Sequence, residues 1–98
     1  MPTFEPVARF WADYRRLTPA QQAAFRAATT LFIAGLETGS FHPKLRVKGY
    51  KSRPGVYELT WAPDGRALWQ YGTPVSGKPG PHIVWLRVGT HDIFEEMG

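Results

Sequence analysis

The spacing of apolar residues changes near residue 40, and this change constrains the fold more than any other feature of the chain. Before it, apolar side chains recur every three or four residues, which is typical of amphipathic helices; after it they alternate, which is typical of strands. The chain has 98 residues, enough for one domain with a single core. The sequence therefore predicts one α+β domain over residues 1–98, with an N-terminal helical hairpin packed on one face of a small antiparallel sheet.

Two helices are predicted in the first part of the chain, joined by a very short connection. The first begins at Pro6, because proline fits the first turn of a helix. The second has Thr18 as its N-cap, Pro19 at its first position, a capping box completed by Gln21, and Gly39 at its end. Their apolar stripes are Val7, Phe10, Trp11, Tyr14 and Leu17, and Phe25, Ala28, Leu31, Phe32 and Leu36. The short connection predicts an antiparallel helical hairpin.

A β-hairpin is predicted from strands Val56–Ala62 and Arg66–Gly72, which flank a Pro63-Asp64-Gly65 turn. Proline and glycine at these positions favour a type I turn with a glycine bulge. The predicted cross-strand pairs are Ala62 with Arg66, Trp61 with Ala67, Leu59 with Trp69, and Tyr57 with Tyr71. We therefore expect Trp61 and Trp69 to face the helices, and a mixed face carrying Glu58, Thr60, Arg66, Leu68 and Gln70 to remain open to water or a ligand.

A last strand is predicted over His82–Gly89, after a glycine- and proline-rich loop at Gly72–Pro81. Its apolar residues are consecutive from Ile83 to Leu86, which indicates a strand covered on both faces. We therefore expect this strand to be central in the sheet.

The composition excludes several kinds of chemistry. The chain has no cysteine, which excludes a disulfide framework, a thiolate zinc site and a cysteine nucleophile. Its three histidines, His42, His82 and His91, lack the spacing of a metal site, so we expect neither a metal nor a small-molecule cofactor. No apolar run approaches the roughly 20 residues of a membrane span, and no signal peptide is evident, so the expected location is the cytoplasm.

The charge balance favours an anionic partner. The chain has 12 Lys and Arg residues against 8 Asp and Glu residues, a net charge of +4. Five cations and no acid lie between His42 and Arg53, namely Lys44, Arg46, Lys48, Lys51 and Arg53. Such a segment would attract a phosphate backbone, although a solvated basic loop has the same composition.

One set of residues could carry chemistry on RNA: Lys44, Arg46, Lys48, Arg66, Arg87 and His91. Cations stabilise the negative charge that develops at phosphorus, and a histidine can move a proton. No metal is needed when the nucleophile is the RNA's own 2′-hydroxyl. Each residue also has a plainer interpretation as a solvated strand end or a capping group, which leaves a basic binding module open.

The chain resembles the RelE/ParE toxin superfamily of bacterial toxin–antitoxin systems. The tail Leu86-Arg87-Val88-Gly89-Thr90-His91-Asp92-Ile93-Phe94 is similar to the R-x-G-T-H-x-x-x-F type of ending in ribosome-dependent mRNA endonuclease toxins. Pro63-Asp64-Gly65-Arg66-Ala67-Leu68-Trp69 is similar to the segment in which these toxins place an arginine at the start of a strand. Lys44-Leu45-Arg46-Val47-Lys48 lies where they carry a basic segment.

The resemblance implies a metal-independent mRNA endoribonuclease (mRNA interferase) that acts on the ribosome. It implies that Arg66 contacts the scissile phosphate, that His91 is the general acid or base, and that Arg87 assists with the RNA backbone. Lys44, Arg46 and Lys48 correspond loosely to residues that hold the RNA and the ribosome. The implied partners are mRNA, the ribosome and a cognate antitoxin protein, whose acidic or amphipathic segment would cover the basic face.

The sequence also departs from the family pattern. Members begin with a strand before the first helix, whereas only Thr3 and Phe4 precede Glu5-Pro6 here. Phe94 lies one residue early for the terminal aromatic residue, and no second histidine lies at the hairpin turn. Two alternatives therefore stay open on the same fold: a gyrase poison of the ParE type, and a binding module without catalytic activity.

Overall fold

The computed structural model describes residues 2–97, with side-chain environments for residues 2–94, and has an α+β architecture. Its helices are α1 (Ala8–Arg16), α2 (Pro19–Thr38) and α3 (Asp92–Met97), with a 3-10 turn at Pro43–Leu45. Its strands are β1 (Thr3–Pro6), β2 (Lys48–Gly49), β3 (Val56–Ala62), β4 (Gly65–Gly72) and β5 (His82–Thr90). The predicted fold class is confirmed, and the structure adds β1, β2 and α3 to the predicted elements.

The five strands form one mixed sheet in the order β1-β5-β4-β3-β2. β5 lies between β1 and β4, so the prediction of a central last strand is confirmed. β1 pairs parallel to β5, whereas the other pairs are antiparallel. The predicted start of the first helix at Pro6 is wrong. Pro6 ends β1 opposite Trp85, and Val7 is the N-cap of α1. An edge strand tolerates a proline at this position, because the N–H group that proline lacks would not have bonded to a neighbouring strand.

The boundaries of α2 follow from its terminal residues, as predicted. The Thr18 hydroxyl accepts from the Gln21 backbone N–H, and the Gln21 side chain accepts from the Thr18 N–H, which completes the capping box. Gly39 ends the helix in the left-handed conformation with φ of 82°. Only Leu17 and Thr18 separate α1 from α2, and the two helices meet through Phe10, Tyr14 and Phe25.

The hairpin of β3 and β4 has the predicted faces but not the predicted partners. Ala62 pairs with Gly65 and Leu59 pairs with Ala67, two residues away from the predicted Trp69. The extra residue is Trp61, which bulges out of β3, rather than a glycine in the turn. Because the slip is an even number of residues, each side chain stays on its predicted face.

Gly65 should tolerate no side chain, because a Cβ atom there would lie 2.5 Å from the Trp61 ring. We expect Gly65→Ala to lower the free energy of unfolding by about 1–3 kcal/mol, since the buried indole would have to move. Gly49→Ala is the matched control: a Cβ atom at Gly49, also in a strand, meets nothing within 4 Å. Denaturant unfolding of both variants tests this, and equal stabilities would show that the indole moves freely.

The core lies between the helices and one face of the sheet, and tryptophans form its centre. The ring centroids of Trp61 and Phe25 are 6.3 Å apart, and those of Trp69 and Phe32 are 4.8 Å apart. Both tryptophans are buried, so the prediction that they face the helices is confirmed. Trp11 of the predicted stripe, in contrast, remains 45% exposed, because α1 packs on β5 through the neighbouring Phe10.

The opposite face of the sheet is partly covered, which corrects the expectation of an open face. A second, smaller apolar cluster lies there, made of Val56, Leu68 and Ile93 with Tyr50, Leu86 and Phe94 packed against it. The covering residues come from α3 and from the segment after β2. α3 lies close to the sheet because Gly89 has no side chain: a Cβ atom there would lie 2.8 Å from Ile93.

Candidate nucleic-acid interface

The basic segment is shaped by the 3-10 turn between α2 and β2. The Nδ1 atom of His42 accepts from the Lys44 backbone N–H at 3.0 Å, which caps the start of the turn. Leu45 is buried and anchors the turn in the core, whereas Arg46 ends it with φ of 48°. The side chains on either side of Leu45 consequently face solvent. Lys44 and Arg46 are thus exposed cations on an anchored backbone.

Lys48 follows in β2, and a neighbouring carboxylate partly neutralises its charge. It is exposed on β2, directly opposite Glu58 of β3, and its Nζ atom lies 3.7 Å from the Glu58 carboxylate. An exposed pair of this kind contributes little to stability. Lys44 and Arg46 line one cleft together with Arg66, whereas Lys48 is an exposed cation on β2 whose recorded partner is Glu58.

Arg66, the predicted phosphate contact, is held in place by its own turn. Its Nη1 atom donates to the carbonyl oxygens of Gly65 at 2.9 Å and of Ala62 and Pro63 at 3.3 Å. Its backbone carbonyl accepts from the Trp61 indole N–H at 2.9 Å. The guanidinium is therefore ordered before any anion arrives, which lowers the entropy cost of binding one.

His91, the predicted proton-transfer residue, lies at the same end of the sheet as Arg66. Arg66 pairs with Gly89 and Gly65 pairs with Thr90, so His91 follows directly on the last paired residue of β5. Its ring is exposed, and the ring centroid of Phe94 lies 5.3 Å away. Phe94 stacks in turn on Tyr50, with a centroid distance of 5.3 Å. Phe94, whose role the sequence left open, therefore packs between the His91 imidazole and the Tyr50 ring and supports the imidazole from one side.

Arg87 differs from these residues because it is buried against α1. Its Nε atom donates to Asp13 Oδ2 at 2.5 Å and its Nη2 atom to Asp13 Oδ1 at 3.0 Å. The same carboxylate accepts from the Val88 backbone N–H at 3.3 Å. Both side chains are nearly fully buried. The Asp13 carboxylate therefore covers the edge of β5 at Val88, and the guanidinium of Arg87 is directed at Asp13 rather than at the exposed cations.

Sequence reasoning missed Asp13, although a signal was present. Asp13 lies three residues after Phe10 and four before Leu17, on the apolar side of α1. An acid at such a position needs a buried partner, because an unpaired carboxylate is costly to bury. Arg87 is that partner.

The two other histidines have structural contacts. His42 caps the 3-10 turn as described above. His82 ties β1 to β5, because its Nδ1 atom lies 2.7 Å from the Thr3 hydroxyl and its Nε2 atom 3.0 Å from the Glu5 carboxylate. Across the described part of the chain, no three His, Asp or Glu side chains group as a metal site would require.

Comparison with known proteins gives a match in structure only. No protein-family model and no curated protein matches the sequence. A chain of the E. coli DinJ–YafQ toxin–antitoxin complex superposes with a TM-score of 0.68 at 16% identity, covering 94% of each chain. The YoeB/ParE toxin from Agrobacterium tumefaciens gives 0.63 at 12% identity, covering 91% of this chain and 98% of that one. A chain of the RelB–RelE complex from Methanococcus jannaschii gives 0.60 at 14% identity, covering 95% and 96%.

The chain has the RelE-like toxin fold. The resemblance that the sequence indicates is thereby confirmed at the level of the fold. The match spans 91% or more of each chain in all three comparisons, so the RelE-like fold describes nearly the whole chain rather than the hairpin alone. Identities this low show the fold and not the activity, which has to be argued from the residues of this chain.

Within this RelE-like fold, the described helices include none that is both long enough and apolar enough to cross a membrane.

Proposed function

We propose that the chain is the toxin of a type II toxin–antitoxin system and cleaves mRNA on the ribosome without a metal ion. The observation that carries the proposal is the position of Arg66 and His91 at one end of the sheet, where β4 begins and β5 ends. Lys44, Arg46 and Lys48 add exposed positive charge on the neighbouring segment.

In the proposed reaction, the 2′-hydroxyl of a nucleotide attacks the adjacent phosphorus. The new O–P bond forms as the bond to the 5′-oxygen of the next nucleotide breaks. The 2′-hydroxyl loses its proton, the 5′-oxygen gains one, and the products are a 2′,3′-cyclic phosphate and a 5′-hydroxyl. Arg66 stabilises the charge that develops on the phosphoryl oxygens, and His91 transfers one of the two protons.

A cognate antitoxin is part of the proposal. The DinJ–YafQ and RelB–RelE structures are complexes of a toxin with its antitoxin. The net charge of +4 and the run of cations after His42 suit an acidic partner in the same way as they suit RNA. The antitoxin would neutralise the toxin by covering these cations.

The test is cleavage of a defined mRNA on purified ribosomes, with the ends of the products mapped. We expect 2′,3′-cyclic phosphate and 5′-hydroxyl ends. A second mRNA with a 2′-deoxynucleotide at the cleaved position should stay intact at that position, since it lacks the nucleophile. Chelators are a poor test on ribosomes, which need Mg²⁺ themselves, so the deoxy substitution replaces them. Cleavage of the deoxy substrate at the same position would refute the 2′-hydroxyl mechanism.

The match to a YoeB/ParE toxin keeps the gyrase alternative relevant. Inducible expression in a bacterial host separates the two, with translation and plasmid supercoiling followed in parallel. The proposal requires translation to stop first and supercoiling to remain normal. Loss of supercoiling with normal translation would favour the gyrase poison. If translation and supercoiling both stay normal, the result would favour a binding module.

A further inference from the structure

A pocket of about 320 Å³ lies where the end of β5 meets the last turn of α1 and the start of α3. β1 ends opposite Trp85, so the later residues of β5 have β4 on one side and α1 on the other. Gly89 and Thr90 line the pocket, and the same two residues pair with Arg66 and Gly65 of β4. Because paired strands lie about 4.8 Å apart, the pocket begins one strand away from the proposed phosphate contact.

The pocket also borders His91. Thr90 and Asp92 precede and follow this histidine in the chain, and both line the pocket. The imidazole itself contacts Phe94, which packs on the second face of the sheet. An RNA that presents its scissile phosphate to Arg66 and His91 therefore has this pocket beside it for a neighbouring nucleotide.

A buried ion pair forms the base of the pocket. Asp13 and Arg87 line it, and both side chains are nearly fully buried. Their charges neutralise each other, so the pair itself attracts neither an anion nor a cation strongly. Among the described residues of the lining, the exposed charges are those of Arg16 and Asp92, which have opposite signs. The pocket thus offers one cation and one anion to a ligand.

Three further polar groups of the lining are open to a ligand as donors. The Gln21 side-chain oxygen accepts from the Thr18 N–H at 2.8 Å, which fixes the amide and leaves its Nε2 atom without an acceptor among the described residues. The Arg16 guanidinium and the Thr90 hydroxyl likewise have no hydrogen-bond partner among those residues. A donor that is ordered before the ligand arrives, as the capped Gln21 is here, lowers the entropy cost of binding.

A nucleotide matches this set of groups. Its phosphate suits the Arg16 guanidinium, an acceptor on its base suits Gln21, and an N–H group of its base donates to the Asp92 carboxylate. The volume of about 320 Å³ is at the lower end of ordinary ligand pockets, which suits one nucleotide rather than a longer segment. An acidic protein segment suits the pocket less well, because its carboxylates would meet that of Asp92.

We propose that this pocket binds the nucleotide next to the scissile phosphate, with Arg16 on a flanking phosphate and with Gln21 and Asp92 on the edge of the base. The proposal rests on the proposed function and extends it, since these three residues lie outside the proposed catalytic pair. The RNA then crosses the end of the sheet from Arg66 past His91 to α1. Binding away from the reacting bond holds the phosphate in position, and the contacts to the base give cleavage a preference for the neighbouring base.

The first experiment uses the full chain labelled with ¹⁵N and short RNA oligonucleotides that carry 2′-O-methyl groups, which remove the nucleophile and keep the RNA intact. A dinucleotide is compared with trinucleotides extended by one nucleotide at the 5′ or the 3′ end. We expect one of the two extensions to raise the affinity about tenfold and to shift the amides of Leu17, Gln21 and Thr90. The proposal is overturned if neither extension does so, or if every shift lies within residues 44–66.

Arg15 and Arg16 provide a matched pair of variants. Both are exposed in the last turn of α1, and of the two only Arg16 lines the pocket. Arg16→Ala should abolish the gain in affinity that the added nucleotide gives. Arg15→Ala removes the same charge and should keep that gain to within about twofold, since the loss of net charge alone weakens short and long RNA alike. Equal losses of the gain in the two variants would contradict the subsite.

Gln21→Glu tests the amide donor while it keeps the helix cap. A glutamate oxygen can still accept from the Thr18 N–H, as in other capping boxes, but the Nε2 donor is lost and a negative charge faces the RNA. The gain from the added nucleotide should be largely lost, with the melting temperature nearly unchanged. A full gain in this variant would contradict the contact between Gln21 and the base.

Asp92→Asn tests the contact to the base edge through specificity. Cleavage rates on ribosomes are compared between mRNAs that differ only in the base next to the cleaved bond. The ratio of these rates should change by about fivefold or more, because an amide donates where a carboxylate only accepts. A disturbance of the neighbouring His91 would lower all rates alike and leave the ratio unchanged, and that result would contradict base recognition by Asp92.

A last comparison separates the subsite from the proposed function. A glutamate-rich peptide is titrated in place of RNA, and stronger shifts at Gln21 and Thr90 with the peptide than with RNA would assign the pocket to a protein partner and overturn the proposal. RNA in the pocket without mRNA cleavage on ribosomes would refute the enzyme and leave the subsite standing. Cleavage that Arg16→Ala leaves unchanged, with no shifts at the pocket, would do the reverse.

Discussion

Replacing either Arg66 or His91 with alanine should reduce mRNA cleavage on the ribosome by on the order of 10²–10⁴-fold, the usual effect of losing a charge-stabilising donor or a general acid or base. His91 is exposed and contacts the protein mainly through Phe94, so His91→Ala should leave the melting temperature nearly unchanged. Single-turnover cleavage by the purified variants, with thermal unfolding measured alongside, tests both statements.

Arg66 needs a second variant, because its guanidinium also stabilises the hairpin turn. Arg66→Ala removes contacts to three carbonyl oxygens and should cost some stability as well as activity. Arg66→Lys keeps the charge but not the planar fork, and should cleave faster than Arg66→Ala and slower than wild type. Arg15→Ala removes an exposed arginine on α1 and is the control for net charge. A fully active His91→Ala protein would rule out this assignment of the active site.

The fold was largely predictable because its boundaries depend on local chemistry. The start of α2 is determined by Thr18, Pro19 and Gln21, which interact within one turn of the chain. The two faces of the hairpin were predictable because successive side chains of a strand point to opposite sides of the sheet. Its register was not, because the bulge at Trp61 depends on the packing of the indole against Gly65, and a sequence pattern does not report such a contact.

Elements that depend on distant partners were not predictable in the same way. β1 is four residues long and contains a proline, and it forms because its backbone pairs with β5, about 80 residues away in sequence. α3 is short and is held by the apolar cluster on the second face of the sheet. Isolated helices of this length are unstable in water, so no local signal predicts one.

The candidate site shows the same division between local and long-range determinants. Lys44, Arg46, Lys48 and His91 are exposed and Arg66 is partly buried; all five lie in turns, in the short β2 or at strand ends, and such positions follow from the local sequence. Arg87 differs because Asp13 of α1 binds it, and that contact spans 74 residues. Residue type and motif position indicated an RNA contact at Arg87, whereas the partner that removes it from the surface lies at the other end of the chain.

The ion pair of Asp13 and Arg87 should have the largest single effect on stability. Asp13→Ala removes the carboxylate that the buried Arg87 guanidinium contacts through two hydrogen bonds, so it should lower the free energy of unfolding by about 3–5 kcal/mol. For a domain of this size each kcal/mol corresponds to about 4–8 °C in melting temperature. Glu37→Ala removes an exposed acid from α2 and should change stability by less than about 0.5 kcal/mol. Urea unfolding of the two variants gives the comparison.

A double variant decides what the pair does beyond stability. Asp13→Leu combined with Arg87→Met removes both charges and fills the space with apolar side chains, so it should recover most of the stability that Asp13→Ala loses. With the fold restored, the cleavage rate reports on the loss of the two charges rather than on unfolding. We expect a rate close to that of wild type, because the guanidinium of Arg87 is buried against Asp13 and is not directed toward Arg66 and His91. A large loss of cleavage in a stable double variant would mean that Arg87 leaves Asp13 to contact RNA, as the sequence resemblance implies.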